Sequence, residues 1–213
     1  VKISKWDRAS ISVSGSECCR YSRKIWSPRT VTKTYDGGAS NRGTATARTY
    51  DDKGNPAQLM EYGEATVSDD GTFTDTGADT RQIDYEYATG TLGLTSYPKL
   101  ITETGSAGGS RITNLIYDGA ATGTVVAGNL TRQTVTDGGL TVGVTNRWTY
   151  DTTGVPLTKI GGRGETTSYS YDAYKLRAAT TTNALSQTKA VTWDYAIGSP
   201  TRVKDVNGAV QRA

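Results

Sequence analysis

The chain has 213 residues, with 24 Lys and Arg against 21 Asp and Glu, a formal charge of +3. That balance argues against a nucleic-acid partner, and the absence of His removes His-based triads and most transition-metal sites. With 36 Thr and 13 Tyr against one Phe, and 25 Gly as punctuation, the composition selects strands and turns over helices.

The first 30 residues read differently from the rest. Residues 1–33 carry eight Lys or Arg against Asp7 and Glu17. This basic, Ser-rich head lacks clear patterning and is expected to be poorly ordered over 1–30, with β-sheet over 31–213. Cys18 and Cys19 are neighbours, a placement that rarely satisfies disulfide geometry and offers no metal framework. The longest apolar-leaning run, "GAATGTVVAGNLT" (119–131), is too short and too rich in Gly and Thr to span a membrane. No apolar signal core follows Val1.

From residue 34 one string recurs. "TYDGG" (34–38) carries Tyr35 and Asp36. "RTYDDKGN" (48–55) carries Tyr50, Asp51, Gly54 and Asn55. "IDYEYATG" (83–90) keeps Tyr85 and Tyr87 but has Ala88 at the Asp position. "NLIYDGAATG" (114–123) has Tyr117 and Asp118. The string then returns in phase, as Trp148, Tyr150, Asp151 and Gly154, as Tyr169, Tyr171 and Asp172, and as Trp193 and Asp194. The anchors Tyr150, Tyr171 and Trp193 are 21 and 22 residues apart. An apolar residue two positions before each anchor shares its strand face, so Thr149, Ser170 and Thr192 face the other way. The second half-unit ends in a turn at Gly164, at Ser186 where Gly is expected, and at Gly208. The unit is therefore strand, Asp-x-x-Gly turn, strand, second turn. Its Asp can accept backbone N–H groups of the turn, and its Gly takes the positive-φ position. Loops such as 68–80, 105–110 and 137–139 read as insertions at hairpin tips. The last unit is incomplete at Ala213, which together with Val1 reads as a slice of a longer repetitive protein.

Two loops hint at chemistry. "DTGAD" (75–79) has the Asp-Thr-Gly of an aspartic-protease loop, but neither a preceding apolar strand nor a second Gly-rich flap, so Asp75 reads as an exposed loop tip. Asp69, Asp70, Asp75 and Asp79 lack the alternating ligand spacing of a calcium loop. "GGRG" (161–164) lacks the Lys-Ser/Thr of a phosphate loop. No catalytic, cofactor or metal residue is assigned, and the chain is expected not to be an enzyme.

"YDDKGN" at 50–55, the 21–22 residue spacing and the "VKDVNG" half-unit resemble the YD-repeat, or Rhs, family over about residues 30–213. The resemblance implies an all-β fold of repeated antiparallel hairpins, wound as part of a hollow spiral cocoon. It implies bacterial shells akin to those of insecticidal toxin complexes, enclosing a toxin encoded elsewhere in the full-length protein, and teneurin-like repeats on animal cells. Expected partners are further YD repeats of the same or a partner shell protein and a toxin cargo; expected localisation is secreted, extracellular or at the bacterial surface. The Asp-Pro motifs of the self-cleaving shell end are absent. The alternative is a carbohydrate-binding or adhesion module that stacks sugars on exposed Tyr and Trp, with a glycan as partner.

Overall fold

The fold is taken from a computed structural model, which describes residues 2–11, 22–34, 42–68, 70–91, 93–138, 140 and 142–212, and their side chains at 29–32 and from 43 on. Among the described residues every regular element is a strand. The β propensity of Thr and Tyr and the frequency of turn residues leave no run in which a helix could propagate. The chain divides into two compact units, residues 1–88, 98–113 and 136–141 in the first, and 89–97, 114–135 and 142–213 in the second.

In the first unit the ladder runs β1 (Lys2–Ile11), β2 (Ser22–Thr34), β3 (Arg42–Tyr50), β4 (Pro56–Val67), β6 (Arg81–Tyr87) and β8 (Pro98–Gly105), with β5 (Phe73–Asp75) beside β4. All of these pairings are antiparallel. β1 and most of β2 lie within the basic head over 1–30 and pair from Lys2↔Thr32 to Ile11↔Ser22. An antiparallel ladder is held by backbone N–H and C=O groups, so it forms without the apolar alternation that the head lacks. The core of this unit is small: Val31, Ala45, Ala65 and Val67, each at most 3% exposed, with Tyr62 and Phe73 packed against them. The Tyr62 and Phe73 rings are 4.8 Å apart and tilted.

The second unit contains β7 (Thr89–Gly90), β10 (Thr124–Val125), most of β11 (Leu130–Asp137), β12 (Val144–Tyr150), β13 (Pro156–Ile160), β14 (Thr166–Tyr171), β15 (Ala178–Thr182), β16 (Thr188–Asp194), β17 (Ser199–Lys204) and β18 (Val210–Arg212). From β11 to β18 each strand pairs with the next as an antiparallel hairpin. β7 and β10 form a short parallel pair that buries Val125 completely. β9 (Ser110–Tyr117) is divided, its first half belonging to the first unit and its second to the second.

Hydroxyls cover one face of the second unit. Thr134 bonds Thr145 directly opposite at 3.0 Å, Thr149 bonds Thr158 at 2.7 Å, Ser170 bonds Thr180 at 2.5 Å and Thr182 bonds Thr188 at 2.9 Å. Such cross-strand pairs are units of sheet stability that do not require burial. The other face carries Trp148, Tyr150, Tyr169, Tyr171, Val191 and Trp193, all partly buried.

Candidate functional site: the aromatic-Asp junctions

Among the described residues the repeat strings draw on three devices: a bulge at the anchor, a tight turn after it, and an aromatic tip that reaches the neighbouring strand. The turn has one backbone scaffold. Asp51 N–H donates to the Asn55 carbonyl at 2.9 Å, and Gly54 N–H returns to the Asp51 carbonyl at 3.0 Å. The same two bonds join Ser68 to Thr72, Gly105 to Gly109, Asp151 to Val155, Gly161 to Glu165, Asn183 to Gln187 and Asp205 to Ala209. The fourth residue of each turn is left-handed, with φ between 61° and 89° at Gly54, Gly71, Gly108, Gly154, Gly164, Ser186 and Gly208. Only glycine takes that region without a Cβ penalty. Ser186, at φ 61°, is the exception. Ser186→Gly is therefore expected to stabilise the chain by about 1 kcal/mol, read as a rise in denaturation midpoint at unchanged slope.

The Asp side chain completes the turn. Asp51 Oδ1 accepts the N–H groups of Lys53 and Asn55 at 3.0 and 2.7 Å, and Oδ2 accepts Asn55 Nδ2 at 2.9 Å. Asp151 Oδ1 accepts the N–H and hydroxyl of Thr153 and the N–H of Val155. Asp172 and Asp194 each accept one turn N–H, from Tyr174 and Ala196. Asp118 does the most. Its carboxylate accepts four backbone N–H groups, from Val126, Ala127 and Gly128 at Oδ2 and from Asn129 at Oδ1, all between 2.8 and 3.0 Å. The Asp118 N–H donates to the Asn129 carbonyl at 2.7 Å. Asp118 and Asn129 thus repeat two of the Asp51–Asn55 bonds, Asp N–H to Asn carbonyl and Asn N–H to Asp carboxylate, across a loop of ten intervening residues. Asn129 was not singled out by the sequence, because its separation from Asp118 differs from the tight turns.

Every anchor aromatic with a tight partner strand sits at a register shift. Tyr50 lies opposite Pro56, Tyr87 opposite Pro98, Tyr150 opposite Pro156, Tyr171 opposite Ala178 and Trp193 opposite Pro200, each just past a bulge. Four of the five prolines in the chain serve this position. Proline has no N–H to give a ladder, so it fits where the bulge interrupts the pairing. This is a legible signal, a Pro six to eleven residues after an anchor, that sequence reading did not use. The polar tips of three anchors then reach the first residue of the adjacent strand. Tyr87 donates to the Pro56 carbonyl at 2.8 Å, Tyr150 to the Leu130 carbonyl at 2.8 Å, and the Trp193 indole to the Ala178 carbonyl at 3.1 Å. In each case the backbone ladder stops two residues short of that carbonyl. Tyr150→Phe should cost about 1 kcal/mol by stranding the Leu130 carbonyl, measured as a fall in midpoint with the far-ultraviolet spectrum retained.

Successive turns also touch. Lys175 Nζ lies 2.5 Å from Asp151 Oδ2, and the Tyr174 and Tyr195 rings meet edge to face at 5.4 Å. The Lys175 ammonium and the Thr153 and Val155 donors hold the Asp151 carboxyl far below the usual carboxylate range. Burial works against ionisation of Asp118 and Asp51, but their backbone and Asn55 donors outweigh it and lower both. Burial pushes the Tyr87, Tyr117, Tyr150 and Tyr171 hydroxyls up.

The remaining sequence-designated residues fall as follows. Tyr35 and Asp36 lie outside the described residues, as do Cys18, Cys19 and Asp69. Ala88, at the missing Asp position, is 4% exposed. Tyr117 is 7% exposed and meets Tyr97 edge to face at 5.2 Å. Asp75 spends its carboxylate on Gly77 N–H and the Thr80 hydroxyl, Asp70 on Thr72, and Asp79 on Glu64 N–H. Among the described residues no three acidic or Cys side chains converge as metal ligands. An open trough beside Asp79 and Arg111 has its central Arg81 neutralised by Glu61 and Glu103, both at 2.7 Å. The Trp193 ring, a candidate sugar platform, is covered by the Arg177 guanidinium at 4.5 Å.

No family model matches the chain, and no curated protein does. Solved structures do. The crystal structure of TcdB2-TccC3-TEV aligns with 99% of this chain at a TM-score of 0.65 and 9% identity, over 14% of that chain. The TcdB2-TccC3 crystal structure aligns with 99% at 0.65 and 10% identity, over 15% of that chain. The TcdB2-TccC3-Cdc42 structure aligns with 83% at 0.50 and 14% identity. At these identities the likeness is one of fold, and the chain spans about one-seventh of the first two. The fold is thus the all-β hairpin architecture that the YD-repeat resemblance implies.

Proposed function

We propose that the chain is a wall segment of an Rhs/YD-repeat shell and that the assembled wall encloses or presents a toxin or effector encoded elsewhere in the full-length protein. The observation that carries this reading is the recurrence of Asp turns and anchor bulges along the hairpins, with aromatic tips at Tyr87, Tyr150 and Trp193 tying neighbouring strands. The fold likeness to the TcdB2-TccC3 structures over 99% of the chain supports it. We also propose a non-enzymatic role. The perturbed groups of the junctions are Asp carboxyls held low and Tyr hydroxyls held high, whereas general acid-base work favours values near the operating pH. The reading extends to a secreted location and to further YD repeats and a toxin as partners.

The test uses the full reading frame that contains this chain. Its product is treated with protease and then imaged by electron cryomicroscopy. A hollow wall containing the 148–212 hairpins, with a separate polypeptide inside that resists protease until the wall is opened, is the expected result. A filled fold with no enclosed polypeptide overturns the proposal.

A further inference from the structure

The hydroxyl face of the second unit carries a charge pattern that the junctions do not use. Arg132 and Arg147 lie directly opposite each other on β11 and β12, and Arg202 and Arg212 directly opposite each other on β17 and β18. All four are exposed. Like charges placed opposite across a ladder are destabilising, yet neither pair has a counter-ion among the described residues. Lys204 adds a third cation beside Arg202, two positions along the same face. The strands of this unit contain one carboxylate, Asp194 at the end of β16, and it is bound to the Ala196 N–H in its turn.

Between the two cationic ends an oblique path carries one hydroxyl per strand, Thr158, Ser168, Thr180 and Thr192 on β13 to β16, which drifts along the strands from near the level of Arg147 to that of Arg202. Ladder spacing separates the cationic ends by about 24 Å across the strands, and their offset of about six residues along the strands brings the total to about 30 Å. A row of groups that both donate and accept suits sugar hydroxyls, and unpaired guanidiniums suit carboxylates or sulfates. An acidic peptide added along the outer side of β18 would reach only the Arg202–Arg212 pair, and a nucleic acid would find no stacking aromatic, since Trp148, Tyr169 and Tyr171 are on the other face. We propose that this face binds an acidic polysaccharide, laid obliquely over the strands with its anionic groups on the Arg132–Arg147 and Arg202–Arg212 pairs.

The test measures binding of polygalacturonate to the intact chain by calorimetry, with polyglutamate of matched charge and single-stranded DNA as alternative ligands. Polygalacturonate is expected to bind, and its dimer much more weakly, because the dimer cannot span both ends. The double variant Arg132→Ser with Arg147→Ser should lose about tenfold in affinity, the equivalent of about 1.4 kcal/mol. The same variant should melt at a higher temperature, which separates lost binding from lost folding. The proposal is overturned if polygalacturonate does not bind, if the variant binds as tightly as the parent, or if polyglutamate or DNA binds equally well. None of these outcomes bears on the shell reading, which rests on the opposite face and the turns.

Discussion

Asp118→Ala is expected to destabilise the second unit by about 2–3 kcal/mol and to release the loop between Asp118 and Asn129. Four backbone N–H groups lose one acceptor at once. Hydrogen bonds to a charged group contribute about 1.5–3 kcal/mol each, but the Val126 and Ala127 donors are exposed and those of Gly128 and Asn129 only half-buried, so water recovers much of the loss. The loop has little else to hold it beyond the β7–β10 pair and the buried Val125. Hydrogen exchange should show residues 124–129 opening well before the β12–β16 ladder. Asp118→Asn separates the causes. Asn tolerates the left-handed backbone that Asp118 adopts, at φ 57°, and keeps one acceptor oxygen, so it should cost about half as much. The pH dependence has a definite sign. The folded carboxyl lies below its unfolded value of about 3.9, so its stabilisation is complete above that pH and is lost as pH falls through the folded value. Asp118→Ala should abolish that part of the acid-induced loss. An unchanged acid limb in the variant would count against the carboxylate clamp.

Gly43→Ala is expected to cost about 2–3 kcal/mol in the first unit, a fall in melting temperature of several degrees. A Cβ at Gly43 would overlap Val67 Cγ2 and lie 2.9 Å from the Ala65 carbonyl oxygen and 3.2 Å from that of Thr32. Two of these three neighbours are backbone, in the strands on either side of β3. They cannot retreat without breaking the Gly43↔Ala65 and Thr32↔Thr44 pairings. Val67→Ala beside Gly43→Ala should restore part of the loss, since it removes the methyl that clashes. If Gly43→Ala melts like the parent, the close approach of β3 and β4 is not as described.

The repeat was legible for a physical reason. Tight turns impose residue identity locally, so Asp51, Asp151 and Asp205, with Gly54, Gly154 and Gly208, mark themselves by short-range spacing. Ser186 could be recognised as standing in a glycine position by counting alone, and its left-handed φ follows from that place in the turn. The alternation of Trp148, Thr149 and Tyr150 likewise assigned two faces, since a strand has a fixed period of two. Asn129 and the aromatic tips were not legible. Asn129 meets Asp118 across a loop whose length the pairing does not constrain, and the Tyr150 hydroxyl chooses the Leu130 carbonyl only once β11 lies beside β12.

By itself the sequence determined the strand class, the turn chemistry, the spacing of the anchors and the split between aromatic and hydroxyl faces, because each is set by residues within a few positions of one another. The tertiary structure alone decided that β1 and β2 pair within the basic head, that proline takes the position opposite the anchor at four bulges, and that Arg132 meets Arg147 and Arg202 meets Arg212 with no counter-ion among the described residues. Those depend on register. Ladder register is a property of two strands together, and one residue of slip would send every side chain to the other face.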